Sequence, residues 1–138
     1  MSRAEFFRRL GAPLANIRNS WGAVREDRTV FLAVWLDEVL KHDGKSFVRV
    51  AAHGKYADNL DNVRFRERLS QIETIKGGAR CFLVMCIAKD VTKHPRDFDS
   101  LIDDAVFIGG SIIDLDGDEY IQFGARVPFR DVAAQQKS

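Results

Sequence analysis

The chain has little of what would announce a chemistry. Its 138 residues include three prolines, three histidines, two cysteines, two tryptophans and two tyrosines. His42, His53 and His94 stand apart, and none forms H-x₃-H, H-E-x-x-H or a Cys-His pair at metal-ligand spacing. No metal or other cofactor is therefore expected. Gly77-Gly78 and Gly109-Gly110 lack the further glycines and the Lys-Ser/Thr of a phosphate-binding loop. Asp114 to Glu119 has the composition of a calcium loop but the wrong spacing, and reads as a turn at Asp116-Gly117. Cys81 and Cys86 sit five apart in one apolar run, so a regular strand would point them to opposite faces. That disfavours a disulfide between them and reads as two buried, reduced, small apolar side chains. No apolar stretch approaches the ~18 residues of a membrane span. The charged N-terminus has no secretory core, which gives the expectation of a cytoplasmic protein with no membrane partner.

What is present is ordinary globular material. At 46% apolar and 30% charged residues, disorder is disfavoured, and this length predicts one domain over 1–138 with a frayed tail at 132–138. The net charge of +1 hides a split. Residues 1–96 carry 18 Lys and Arg against 11 Asp and Glu, or +7, while residues 97–138 carry 3 against 9, or −6. If this segregation survives folding, it favours an anionic partner or end-to-end self-association as a homodimer.

The pattern centres on Ser20 to Glu38. Trp21 precedes a polar break at Arg25 to Arg28, and a continuous apolar run, Thr29 to Leu36, follows with Trp35 near its end. This predicts a hairpin over 21–37 whose second arm is covered on both faces. Ser2-Arg3-Ala4-Glu5 is a capping box for a first helix that ends at Gly11 and Pro13. A turn at 42–45 and a strand over 46–52 come next. A second helix then carries Phe65, Leu69 and Ile72 to a stop at Gly77-Gly78, with Glu73 and Lys76 as an i,i+3 pair. Arg80 to Lys89 predicts a second interior strand. Residues 90–100 read as a loop with a possible helical turn at 98–102. Strands at 106–108, 111–115 and 119–127 follow, with a bend at Gly109-Gly110 and an end to regular structure at Pro128. The fold class expected is α+β: a mostly antiparallel, strongly curved sheet or partly open β-barrel of six to seven strands with two flanking helices.

The candidate site gathers around the tryptophans. Trp21 and Trp35 are read as walls of a pocket for a nucleobase or similar flat ligand, with Gly22 permitting close backbone approach. Asn19, Ser20, Asp37 and His53 are the polar groups near enough in sequence to read its edge. Arg18, Arg25, Arg28, Lys55 and Arg64 would form a basic rim for phosphates. The helix–barrel order and the tryptophan-bearing first hairpin resemble the PUA-like superfamily, with its EVE, YTH and ASCH modules, over roughly residues 15–130. That resemblance implies a reader of modified or unusual bases. The chain also resembles small orphan proteins carried on mobile elements and beside restriction genes. The reading preferred is a non-enzymatic binding module for nucleic acid or a flat small molecule. The alternatives are a homo-oligomeric interaction protein and a small α+β-barrel enzyme using Asp37 with His53.

Overall fold

The computed structural model describes residues 1–17, 20–51, 63–92 and 98–134. Chain order among them is α1 (Arg3–Arg9), β1 (Gly22–Val24), β2 (Val30–Trp35), a 3₁₀ turn (Leu36–Glu38), β3 (Val39–His42) and β4 (Lys45–Ala51). Then follow α2 (Val63–Lys76), β5 (Cys81–Ala88), β6 (Phe98–Leu101), β7 (Ala105–Leu115), β8 (Asp118–Pro128) and α3 (Phe129–Ala134).

Local rules explain the element ends. Ser2 caps α1 by accepting the Glu5 N–H at 3.1 Å. Glu5 does not reach back to complete the box; its carboxylate pairs with Arg8 at 2.6 Å and Arg9 at 2.9 Å, one turn on. Asp116 and Gly117 take φ of 53° and 87°, the left-handed pair that a two-residue hairpin turn between β7 and β8 requires.

All eight strands join one sheet in the order β1-β2-β5-β7-β8-β4-β3, with β6 also on β5. Every pairing is antiparallel except β2 with β5, which run parallel from Val30↔Cys81 to Trp35↔Cys86. These two apolar runs are the sheet's interior, and both of their faces are covered. Phe31, Ala33, Phe82, Val84 and Cys86 turn to one face, beneath α1 (Phe6, Phe7, Leu10) and α3 (Val132). Val30, Leu32, Val34, Cys81, Leu83 and Met85 turn to the other, where α2 supplies Phe65, Ile72 and Ile75 and the sheet brings round Val48, Val50 and Ile121. The two cysteines thus fall on opposite faces, as their odd spacing requires.

Several expectations need correction. Among the described residues the sheet has eight strands rather than six or seven; its ends, β1 and β3, do not pair, so it is an open sheet, in line with the open form expected. Three helices are described, not two. Residues 98–101 form β6 rather than a helical turn, because Leu101 pairs with Cys86 and continues the line of β7 along β5. Residues 106–115 belong to a single strand with two register shifts around Gly109. A Cβ on Gly109 would lie 2.9 Å from Ile121 Cδ1 and 3.1 Å from Cys81 Sγ, so the irregularity lets three strands close up. Regular structure continues past Pro128 into α3, and Val132, expected to fray, is fully buried.

Between β2 and β4 no ladder forms, although their Cα atoms approach within 8 Å. The seam is bridged by one side chain. Arg68 of α2 donates to Val50 O of β4 at 2.9 Å, and to Trp21 O and Ala33 O on the other side at 2.8 and 2.7 Å. Its guanidinium thus takes the place of strand-to-strand hydrogen bonds. Burial lowers its pKa to about 10, so it remains cationic at neutral pH. Arg68→Ala should cost about 2–4 kcal/mol, since it removes charge-assisted bonds and leaves buried carbonyls unpaired. Arg68→Lys should recover less than half of that loss, because an ammonium lacks the planar fork that spans three acceptors. Urea unfolding of the three proteins measures this; a lysine variant as stable as wild type would show that charge alone bridges the seam.

Candidate functional site

The β1–β2 hairpin brings the tryptophans together. Gly22 pairs with Leu32, so Trp21 lies across from Ala33, whose N–H donates to Trp21 O at 2.8 Å. Trp35, two residues beyond Ala33, projects to the same face, and the indole centroids lie 5.0 Å apart at 46°. Both residues are partly buried and pack against the cluster beneath α1 and α3. Arg3 completes the stack. Its guanidinium carbon lies 4.0 Å from the Trp21 ring centroid, and its Nε donates to Ser20 O at 3.2 Å. The result is a three-tier ladder of guanidinium, indole and indole, held by cation–π attraction and tilted ring contact. Sequence reasoning missed Arg3, which stands 18 residues before Trp21 and was read only as part of a helix cap.

The remaining proposed readers divide. Ser20 adjoins the stack but is 2% exposed; its hydroxyl donates to Glu67 at 3.1 Å and accepts the Asn16 N–H at 3.0 Å, which pins this segment to α2. Asp37 is exposed on the 3₁₀ turn that follows Trp35. Gly22 does allow a close approach, but the approaching group is from α2: a Cβ there would fall 2.4 Å from Gln71 Oε1. Asn19 and His53 lie outside the described residues.

Two members of the expected basic rim, Arg25 and Arg28, do not lie beside the tryptophans. The turn carrying Arg25 and Arg28 is at the opposite end of the β1–β2 hairpin from the tryptophans, as the pairing of Val24 with Val30 requires. Arg25 is buried and consumed by structure. It donates to Leu10 O and Val132 O, both at 3.0 Å, and so clamps the C-terminal turns of α1 and α3, where carbonyls lack helical partners. Its other nitrogens engage Asp27 at 3.1 and 2.8 Å. Arg28 is exposed, with φ of 73°, and lines a cleft of about 410 Å³ with Asp27, Gly77, Gly78 and Arg80, away from the indoles. Arg18 and Lys55 lie outside the described residues, as does the side chain of Arg64, whose backbone is in the first turn of α2.

Other chemistry finds little support among the described residues. No group of three His, Cys, Asp or Glu side chains is placed to hold a metal there. Burial pushes both cysteine thiols up to about 12, which leaves negligible thiolate at neutral pH. No helix there is long and apolar enough to cross a membrane.

Arg25 has a consequence for acid stability. Its hydrogen bonds, aided by the Thr29 N–H, hold the Asp27 carboxyl well below the usual carboxylate range. A depressed folded-state pKa contributes stability that is full above the unfolded value near 4 and is lost as pH falls towards the folded one. Glu5, held at about 2 chiefly by its hydrogen bonds to Arg8 and Arg9, acts over the same range. Asp27→Asn should therefore be less stable than wild type at pH 7, with the gap narrowing between about pH 4 and pH 2. Urea midpoints at pH 7, 4 and 2.5 check the sign, and a gap independent of pH would show that the ionised carboxylate is not what matters.

No protein-family model, curated protein sequence or solved structure matches the chain.

Proposed function

We propose that the protein is a non-enzymatic binding module that takes a flat anionic ligand, single-stranded nucleic acid foremost, on the tryptophan pair. The observation that supports this is the partly open indole pair with a guanidinium stacked on it. A fully buried pair would serve packing alone, whereas indoles left partly open beside a cation combine a surface for a base with a charge for its phosphate. One ring face of Trp21 is taken by Arg3, so Trp35 is the stacking surface and Trp21 its support. Arg3 contributes the nearest described cation to an approaching phosphate.

Titration with short single-stranded oligonucleotides, followed by tryptophan emission, tests the reading. Binding should quench emission and weaken steeply between ~50 and ~200 mM salt. Trp35→Ala should lower affinity about 5- to 150-fold, the equivalent of losing 1–3 kcal/mol of base stacking. Arg3→Ala should weaken binding of all sequences alike and flatten the salt dependence by about one charge. Unquenched emission at low salt, or a Trp35→Ala protein that binds like wild type, would remove this function.

A further inference from the structure

The sheet's outer face is covered on only one half by described elements. Over β2 and β5, α1 and α3 enclose it. Beyond the shifts at Gly109, β7 and β8 project as an arm that joins β4 and β3, and no described helix lies on the outer side of that arm. Register identifies the side chains there, since directly paired residues point the same way. Val39, Val48, Ile121 and Ile112 form the inward row, which belongs to the core under α2. The outward rows are Leu40–Phe47–Gln122 and Arg49–Tyr120–Ile113. Phe47 is only 4% exposed yet belongs to neither core, while Leu40, Ile113, Leu115 and Tyr120 are half-exposed around it. A cleft of about 340 Å³ crosses this face, with Phe47, Ile113 and Leu115 among its lining.

We propose that this face docks against the same face of a second copy of the chain, related by a two-fold axis. The charge layout selects that occupant. In the middle of the arm charge is paired internally: Arg49 pairs with Glu38 and, at 3.4 Å, with Asp118. At the ends it is not. β4 and β8 are antiparallel, from Phe47↔Gln122 to Ala51↔Glu119, so the turn before Lys45 and the turn at Asp116 stand at opposite ends. Lys45 and Asp116 are both exposed, and neither has an ion partner among the described residues. A two-fold axis lying in the plane of the interface, perpendicular to the strands, turns the two faces towards each other, exchanges those ends and sets each Lys45 against the partner's Asp116. Such an isologous contact is self-complementary and closes at two copies. It places Phe47, Tyr120 and Ile113, beside the internally paired Arg49, at its centre and opposite charges at its rim. A four-strand face is narrower than the ~800 Å² that each partner gives a stable complex, so the dimer is weak and concentration-dependent.

Sedimentation of the full chain over ~1 µM to ~1 mM, where undersized interfaces associate, tests this. The mass should rise with concentration from 15.6 kDa towards twice that value, and less so at high salt. Ile113→Asp should abolish the rise. Lys45→Glu, at an exposed position that leaves folding intact, should weaken dimerisation about 2- to 5-fold, and Lys45→Glu with Asp116→Lys should restore it. Trp35→Ala should dimerise like wild type, which keeps this result separate from ligand binding at the indoles. A monomer at every concentration overturns the proposal. So does a dimer indifferent to Ile113→Asp and Lys45→Glu, or one that the reversed pair fails to restore.

Discussion

The architecture depends on a single guanidinium in the place of a missing ladder. The sheet curls until β2 and β4 face each other, but the two strands do not pair. Unpaired strand carbonyls inside a fold cost free energy comparable to a lost hydrogen bond. Arg68 removes that cost by donating to Ala33 O and Val50 O, and it adds a second donor to Trp21 O, which also accepts the Ala33 N–H. An arginine can do this because its donors lie in one plane and diverge, so one group serves both edges of the seam. Its charge is retained despite burial, with pKa lowered only to about 10. The interior between sheet and α2 can therefore stay apolar while the sheet remains open.

Arg25 performs the same kind of work on the opposite face. It gathers the end of α1, the end of α3 and the turn between β1 and β2 around one buried cation, with Asp27 as counter-ion. α1 and α3 are seven and six residues long, too short to persist alone in water. Their stability comes from Phe6, Phe7, Leu10 and Val132 packing on the sheet and from this clamp. Two arginines that sequence reasoning would spend on solvent or phosphate are thus part of the scaffold, and α1 is held where Arg3 meets Trp21.

The indole ladder and the bare arm are two places where the fold leaves aromatic or aliphatic surface partly uncovered by described elements. They differ in chemistry. The ladder has a cation on its own ring, which suits an anionic flat ligand. The arm pairs the charge at its centre and leaves opposite charges at its two ends, which suits a copy of itself. The +7/−6 division along the sequence is partly spent within the chain: Arg49 meets Asp118, and Lys76 meets Glu119 at 3.0 Å.

Much of the fold was legible in local pattern. The cap at Ser2, the interior runs at 30–35 and 81–88, the Asp116-Gly117 turn, the α2 stop at Gly77-Gly78 and the opposed cysteines follow from propensities and periods set by neighbouring residues. The short elements were not legible: β3, β6 and α3 are four to six residues long and gain their form from a partner strand or from the clamp at Arg25. The juxtaposition of Trp21 with Trp35 was visible as a hairpin, but Arg3 on the stack was not. Arg25 and Arg28 were misplaced because an arginine's position in the sequence does not say whether its guanidinium meets water, a carboxylate or a backbone carbonyl. The sequence by itself determined the longer strands and helices and which of their faces are apolar, because those properties repeat every two or 3.6 residues. Only the tertiary structure decided the short elements, the order of the strands and which arginines are buried, because strand pairing and desolvation depend on contacts between residues far apart in the chain.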